Sequence, residues 1–351
     1  MAAPRSWLKT PTPGQTLILT YAAAVLTGTI LLRLPAAAVG APLSFLDALF
    51  TATSAQCVTG LAVVDTGSRL SLFGQLVVLA LIQLGGIGIT TFSVYLFFYL
   101  RIGVGVRGRW MIQETLLHTP VGSLRELIRE ILLATLIIEA VGALLISFVL
   151  IPRSGFWPGL YASLFHSVSA FCNAGFSLFP DSLVGYRSHP LINLVIIVLI
   201  VSGGIGFLVI RELLSLAPWR RKTARRRLSL HSRVVLITSA VLIVGGALLI
   251  GLLESGAAFA GMTWTEGFWT ALFQSVTTRT AGFNTIDLSL LRPSTLFLLT
   301  FLMFIGASPG SAGGGIKTTT LALFIAILRS RLKGNPHTNI YRRTIPDEAI
   351  T

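Results

Sequence analysis

This chain has very little charge. Of its 351 residues, 11% are Asp, Glu, Lys or Arg, where a soluble domain carries roughly a quarter, and a fold wrapped in a charged, hydrated surface is thereby excluded. Carboxylates are scarcer than cations, 13 against 27. The five histidines, His118, His166, His189, His231 and His337, are scattered without metal-ligand spacing. Only two cysteines occur, Cys57 and Cys172, too few for a zinc or iron–sulfur site. No Ser/His/Asp or Cys/His set stands in a context that points to nucleophilic catalysis. The chain is therefore expected not to be an enzyme and to hold no covalent cofactor.

Apolar sequence takes the place of charge, at 53% of residues and a mean hydropathy of +0.80. Runs at 16–34, 72–100, 128–151, 190–210, 234–253 and 294–328 meet the length of about 20 residues that a membrane-crossing helix needs. They predict an all-α integral membrane protein with six crossings. Pieces at 43–55, 157–171 and 264–277 are too brief to span and read as re-entrant or interfacial helices. The first long run, preceded by Arg5 and Lys9 and followed by Pro35-Ala36-Ala37-Ala38, has the outline of a secretory signal. It exceeds the roughly 7–15 apolar residues of such a peptide and reads as a retained span.

Most of the 27 basic residues lie in four segments, the N-terminus, 101–130, 211–233 and the stretch from Arg329 onward. The positive-inside rule places all four in the cytoplasm, the N-terminus included. A net charge of +14 and the run from Arg220 to Arg227 would suit nucleic acid in a soluble protein. Between membrane spans they set topology and offer contacts to anionic lipid or a cytosolic partner, so no nucleic-acid binding is expected.

One short pattern occurs three times. Leu49-Phe50 leads to Val58-Thr59-Gly60-Leu61, Leu164-Phe165 to Asn173-Ala174-Gly175-Phe176, and Leu272-Phe273 to Thr280-Ala281-Gly282-Phe283, with the glycines 115 and 107 residues apart. Repetition at such a period marks a duplicated unit. Each unit holds two spans and one short helix, so successive units enter the membrane in the same orientation and every glycine turn reaches it from the outer face. Backbone returning from a half-length helix is tolerated only where protein or water surrounds it. Glycine permits positive φ there, and rings of inward-pointing carbonyls replace the water shell of a small cation. Cys57 and Cys172, each three residues before a motif glycine, hold equivalent positions and need no disulfide.

These residues resemble the Trk/Ktr/HKT potassium transporters. The resemblance rests on Thr-Ser-Ala-Gln-Cys-Val-Thr-Gly-Leu (53–61), Ser-Ala-Phe-Cys-Asn-Ala-Gly-Phe (169–176) and Thr-Thr-Arg-Thr-Ala-Gly-Phe-Asn-Thr (277–285), and it covers nearly the whole chain. It implies four helix–pore loop–helix units around a central pore, with Gly60, Gly175 and Gly282 as filter glycines that hold K+. A serine at the first of these positions goes with sodium permeation in plant relatives, so Gly60 resembles the potassium-permeable type. The resemblance also implies a homodimer and a cytosolic nucleotide-binding regulatory subunit.

A second glycine pattern, Gln83-Leu84-Gly85-Gly86-Ile87-Gly88 and Val201-Ser202-Gly203-Gly204-Ile205-Gly206, lies inside the second spans of units one and two. Unit three has Ser308, Pro309, Gly310, Ser311, Ala312, Gly313, Gly314, Gly315, Ile316 and Lys317 at that place, a run that breaks the helix near mid-membrane. By resemblance this is an intramembrane gating loop. Gly310 and Gly315 have Walker A separation, yet Ile316 stands where the lysine belongs and no strand precedes it. Lys317 is expected either to face the cavity and oppose cations or to snorkel and cap carbonyls. Arg279 is expected to buttress the filter, paired with Asp287 or Glu266. Asp47, Asp65, Asp181, Glu254, Glu266 and Asp287 read mostly as solvated outer-loop acids, and Glu139 as an intramembrane acid that pairs with another unit.

The expected units are 1–110, 111–222 and 223–334, with 335–351 a cytoplasmic linker towards a missing fourth unit, as if the chain were a fragment or an early-terminated product. The function expected is uptake of K+ across the bacterial inner membrane, passive or linked to Na+ or H+. An alternating-access cation or solute carrier and a non-conducting truncated remnant are the alternatives.

Overall fold

The structure is a computed structural model that describes residues 13–102, 124–216, 228–334, 338–340 and 343–345. Much of the basic sequence assigned to the cytoplasm, including Arg107, Arg109 and the run from Arg220 to Arg227, lies outside these residues.

Unit one begins with the long helix α1 (Pro13–Arg33), followed by the short α2 (Phe45–Gln56), the single turn α3 (Thr66–Arg69) and the long α4 (Leu72–Ile102). Unit two repeats this with α5 (Leu124–Ser154), α6 (Phe156–Phe171) and the pair α7 (Pro190–Ile205) and α8 (Phe207–Ser215). Unit three has α9 (Leu230–Glu254), α10 (Trp264–Thr277), α11 (Pro293–Phe304) and α12 (Thr318–Leu332). Local chemistry starts the short helices where the sequence changes. The Ser44 hydroxyl accepts the Asp47 N–H at 3.1 Å ahead of α2, and Thr263 and Glu266 form a capping box ahead of α10. Pro190 and Pro293 open α7 and α11 at the one helical position where a missing N–H costs nothing.

In units one and two the short helix packs against both flanking helices, in unit three α10 packs against α9, and α4 against α6 and α7 against α10 join consecutive units. The short helices therefore form the centre. Ala48, Ala52, Phe165, Phe273 and Val276 on them are fully buried. The long helices α1, α4, α5 and α9 turn large apolar side chains outward, including Leu252 at 74% exposure, and Phe297 on α11 is 78% exposed. A soluble monomer does not tolerate such a surface; a bilayer solvates it. Among the described residues four helices are long and apolar enough to cross a membrane, and the bent α7–α8 pair, taken as one span, makes a fifth.

Two runs read from the sequence as spans are broken. The 190–210 run bends by 105° between α7 and α8 at Gly206, whose φ is +89°. The 294–328 run divides into α11, about 18 Å long at 1.5 Å per residue, an irregular stretch through Lys317, and α12. A two-stranded antiparallel ribbon, β1 (Thr338–Ile340) and β2 (Arg343–Ile345) with Thr338 opposite Ile345, lies in the stretch expected as linker and supplies the only named strands among the described residues.

Candidate ion filter and intramembrane loop

Each short helix ends directly ahead of its glycine motif, and the three turns share one backbone pattern. Val58, Asn173 and Thr280 have φ of +55°, +59° and +64°; two residues later Gly60, Gly175 and Gly282 have φ of +81°, +70° and +80°. The residue between them stays at negative φ. Left-handed conformations cost ordinary residues about 1–2 kcal/mol, and three equivalent copies mark a geometry held by its surroundings. The helix end holds each turn from inside: Thr59 N–H donates to the Ser54 carbonyl at 2.8 Å, Ala174 to Ser169 at 2.7 Å and Ala281 to Thr277 at 3.0 Å.

Hydroxyls add a second clamp in two copies. Ser169 Oγ donates to the Phe176 carbonyl at 2.8 Å and Thr277 Oγ1 to the Phe283 carbonyl at 2.7 Å. Ser54 occupies the same place in unit one, where its hydroxyl has no partner among the described residues. The signal for these clamps is the Ser/Thr-rich segment ahead of each glycine, whose role the sequence alone did not disclose. Phe176 and Phe283 are buried anchors, whereas Leu61 is 60% exposed.

The turns converge. A methyl on Gly60 would lie 2.6 Å from the Ala174 carbonyl oxygen, one on Gly175 2.5 Å from that of Ala281, and one on Gly282 3.2 Å from Gly175 Cα and 3.6 Å from Gly60 Cα. Among the described residues no group donates a hydrogen bond to the carbonyls of 58–60, 173–175 or 280–282, so these oxygens remain open acceptors. Three helix C-termini, each with a partial negative charge, point at the same place. A cavity of about 320 Å³ lies against the three glycines and is lined also by Asp65, Ser177 and Asn284. A second, of about 530 Å³, runs between the first and third turns past Thr59, Thr277 and Thr280 to Gly314.

Gly314 belongs to the intramembrane stretch of unit three, which folds as a loop held by backbone bonds. Ala307 N–H donates to the Gly314 carbonyl at 3.0 Å and Gly306 N–H to Ile316 at 3.1 Å. The loop docks on the broken span of unit two: Ser308 N–H donates to Gly204 at 2.9 Å, Ala312 N–H to Gly203 at 3.2 Å, and Phe207 N–H to Gly310 at 2.9 Å. The last bond explains the bend. The first N–H of α8 finds a carbonyl in another unit, and a Cβ at Gly206 would collide with the Pro309 carbonyl. Lys317 is half-buried, and its Nζ donates to the Gly313 carbonyl at 2.8 Å, so it caps its own loop.

Several other sequence expectations are settled by partners. Glu139 is 3% exposed and meets unit one, where Gln83 Nε2 donates to its Oε2 at 3.0 Å. His166 in α6 contacts the Ala162 carbonyl at 2.7 Å and Ser177 Oγ at 3.0 Å. Arg279, 4% exposed, is not paired with Asp287 or Glu266, and its Nε and Nη2 have no partner among the described residues. Both acids are engaged locally. The N–H and hydroxyl of Ser289 hold the Asp287 carboxyl below its ordinary pKa, and those of Thr263 do the same for Glu266. Glu254 is not a solvated loop acid: it is fully buried and accepts from Arg292 N–H at 2.9 Å, Ala258 N–H at 3.2 Å and the Thr295 hydroxyl. The cysteines are free.

Half-length helices whose ends and glycine turns meet at one point define a multi-pass, all-α membrane protein built from repeated helix–pore loop–helix units. The sequence matches the TrkH family, Cation transport protein, over residues 5–351, and the chain belongs to that family. It is 40% identical over 336 residues to Ktr system potassium uptake protein B of Bacillus subtilis, covering 95% of this chain and 74% of that protein. Potassium/sodium uptake protein NtpJ of Enterococcus hirae is 37% identical, with 93% of this chain and 71% of that protein covered. The crystal structure of the potassium transporter TrkH from Vibrio parahaemolyticus superposes with a TM-score of 0.74 at 21% identity, covering 99% of this chain and 69% of that one. The family is one of transporters.

Proposed function

We propose that this chain takes up potassium through the three glycine turns, with Gly60, Gly175 and Gly282 and the residues beside them forming the ion filter. The observation that carries this reading is the set of open carbonyls at the converging turns. A dehydrated K+ needs oxygen ligands in place of its water shell, and uncommitted backbone oxygens at the foot of an outer cavity supply them. The names of the relatives point to the same ion. An ion leaving the turns enters the 530 Å³ cleft and meets Gly314, so the segment from Ser308 to Lys317 acts as the gate. The units divide at about 1–110, 111–222 and 223–334. The proposed membrane is the bacterial inner membrane with the N-terminus in the cytoplasm, the side that the basic segments favour. A second copy and a cytosolic nucleotide-binding regulator complete the assembly, and any Na+ or H+ linkage acts on the same path.

Rubidium uptake by a potassium-requiring host expressing the chain tests the transport reading, with Gly60→Ser as the filter probe. Uptake above the empty host, and a potassium/sodium ratio lowered by Gly60→Ser, are expected. Absence of uptake by a chain present in the membrane refutes it.

A further inference from the structure

The filter reading uses the backbone of Asn173 and leaves its carboxamide without a task. That side chain is 1% exposed and lies where four segments meet. Its Nδ2 donates to the Arg279 carbonyl of the third pore loop at 3.2 Å. A methyl on Gly204 in α7, or on Gly313 in the intramembrane loop, would lie 3.5 Å from Nδ2, and one on Gly203 would lie 2.8 Å from Oδ1. Oδ1 itself has no partner among the described residues. Gly203 and Gly204 are also the residues whose carbonyls seat the loop through Ala312 and Ser308.

Val58 and Thr280 share the left-handed backbone of Asn173 but carry no carboxamide, so this contact belongs to the second turn alone. Asparagine tolerates that backbone better than most residues, and its donor crosses to a neighbouring turn. We propose that Asn173 is a positioning residue that fixes the third pore turn against the second and seats the intramembrane loop beneath both. The proposal rests on the potassium-filter reading for its transport consequence, because discrimination by carbonyls depends on the spacing between turns. The seating of the loop is a separate, directly measurable consequence.

Two variants test it. Asn173→Gly keeps the left-handed backbone without strain and removes the carboxamide. Asn173→Asp keeps its size and replaces the donor facing the Arg279 carbonyl with an acceptor. Both are expected to lower the potassium/sodium uptake ratio about tenfold, equivalent to about 1.4 kcal/mol, and to speed hydrogen exchange at the Ser308 and Ala312 amides of the purified protein. A purely structural role would reduce the amount of protein while leaving the ratio and the loop exchange at wild-type values, and that result overturns the proposal. If the unmutated chain shows no preference for potassium, the potassium reading falls, and the exchange comparison alone decides the role of Asn173.

Discussion

Replacing Gly175 with alanine tests the convergence of the three turns most directly. The backbone there has φ of +70°, a region that costs an alanine about 1–2 kcal/mol. Its methyl carbon would stand 2.5 Å from the Ala281 carbonyl oxygen and 2.8 Å from Gly282 Cα. Both are backbone atoms of the third turn and cannot rotate aside, and overpacking of this kind costs about 1–3 kcal/mol more. The total of about 2–5 kcal/mol falls on the carbonyl arrangement itself, and at 1.4 kcal/mol per decade it reduces selective uptake by about one and a half to three and a half orders of magnitude. Gly245→Ala is the control. That glycine lies within α9 with nothing within 4 Å of an added methyl, and a helix favours alanine over glycine by about 1 kcal/mol. Rubidium uptake, corrected for the amount of protein in the membrane, is the assay, with sodium uptake measured in parallel. A Gly175→Ala protein that carries rubidium at the wild-type rate and with the wild-type ratio would refute the reasoning.

Other substitutions separate the remaining contacts. Glu139→Leu strips Gln83 of its acceptor across the first and second units and is expected to lower stability by about 1–3 kcal/mol, read as thermal unfolding in detergent. Glu139→Gln, which keeps an oxygen in place, should lose much less. Lys317→Met frees the Gly313 carbonyl from its ammonium partner; a charge-assisted bond is worth about 1.5–3 kcal/mol, so uptake should rise about tenfold or more, and an unchanged rate denies the lysine a restraining role. Thr263→Val removes the hydroxyl that depresses the Glu266 carboxyl. A depressed acid stabilises the fold above its ordinary pKa of about 4.3 and loses that effect as pH falls through the lowered value. The variant should therefore fall further below wild type at neutral pH than in strong acid, where only the lost cap bond from the Glu266 N–H remains, and a gap that does not narrow in acid would assign the whole effect to that cap.

The three turns were legible in the sequence because their requirements are local: a short apolar helix, a Ser/Thr-rich end and a glycine at a left-handed position. The bend in unit two was not. Gly85-Gly86-Ile87-Gly88 and Gly203-Gly204-Ile205-Gly206 read alike, yet the first stays within the continuous α4, where Gly86 accommodates Cys172 Sγ. The second ends α7 because Gly310, about a hundred residues away in sequence, accepts the Phe207 N–H. The acids failed for a related reason. Charge type alone suggested partners for Arg279, while Asp287 and Glu266 were claimed by hydroxyls and N–H groups two or three residues away. Asn173 announced its backbone through the motif and concealed its side-chain role, since the Arg279 carbonyl that it meets carries no mark in sequence.

The continuous α4 and the bent α7–α8 grow from nearly the same words, and this divides the molecule into two kinds of environment. At the glycine turns the three units present close copies of one backbone surface. Beyond them the likeness ends, for one unit offers an unbroken helix, another an elbow and the third a folded strap bound to that elbow. On the proposed reading, duplication has been kept where all sides would treat an ion alike, and abandoned where a single side would stand in its way.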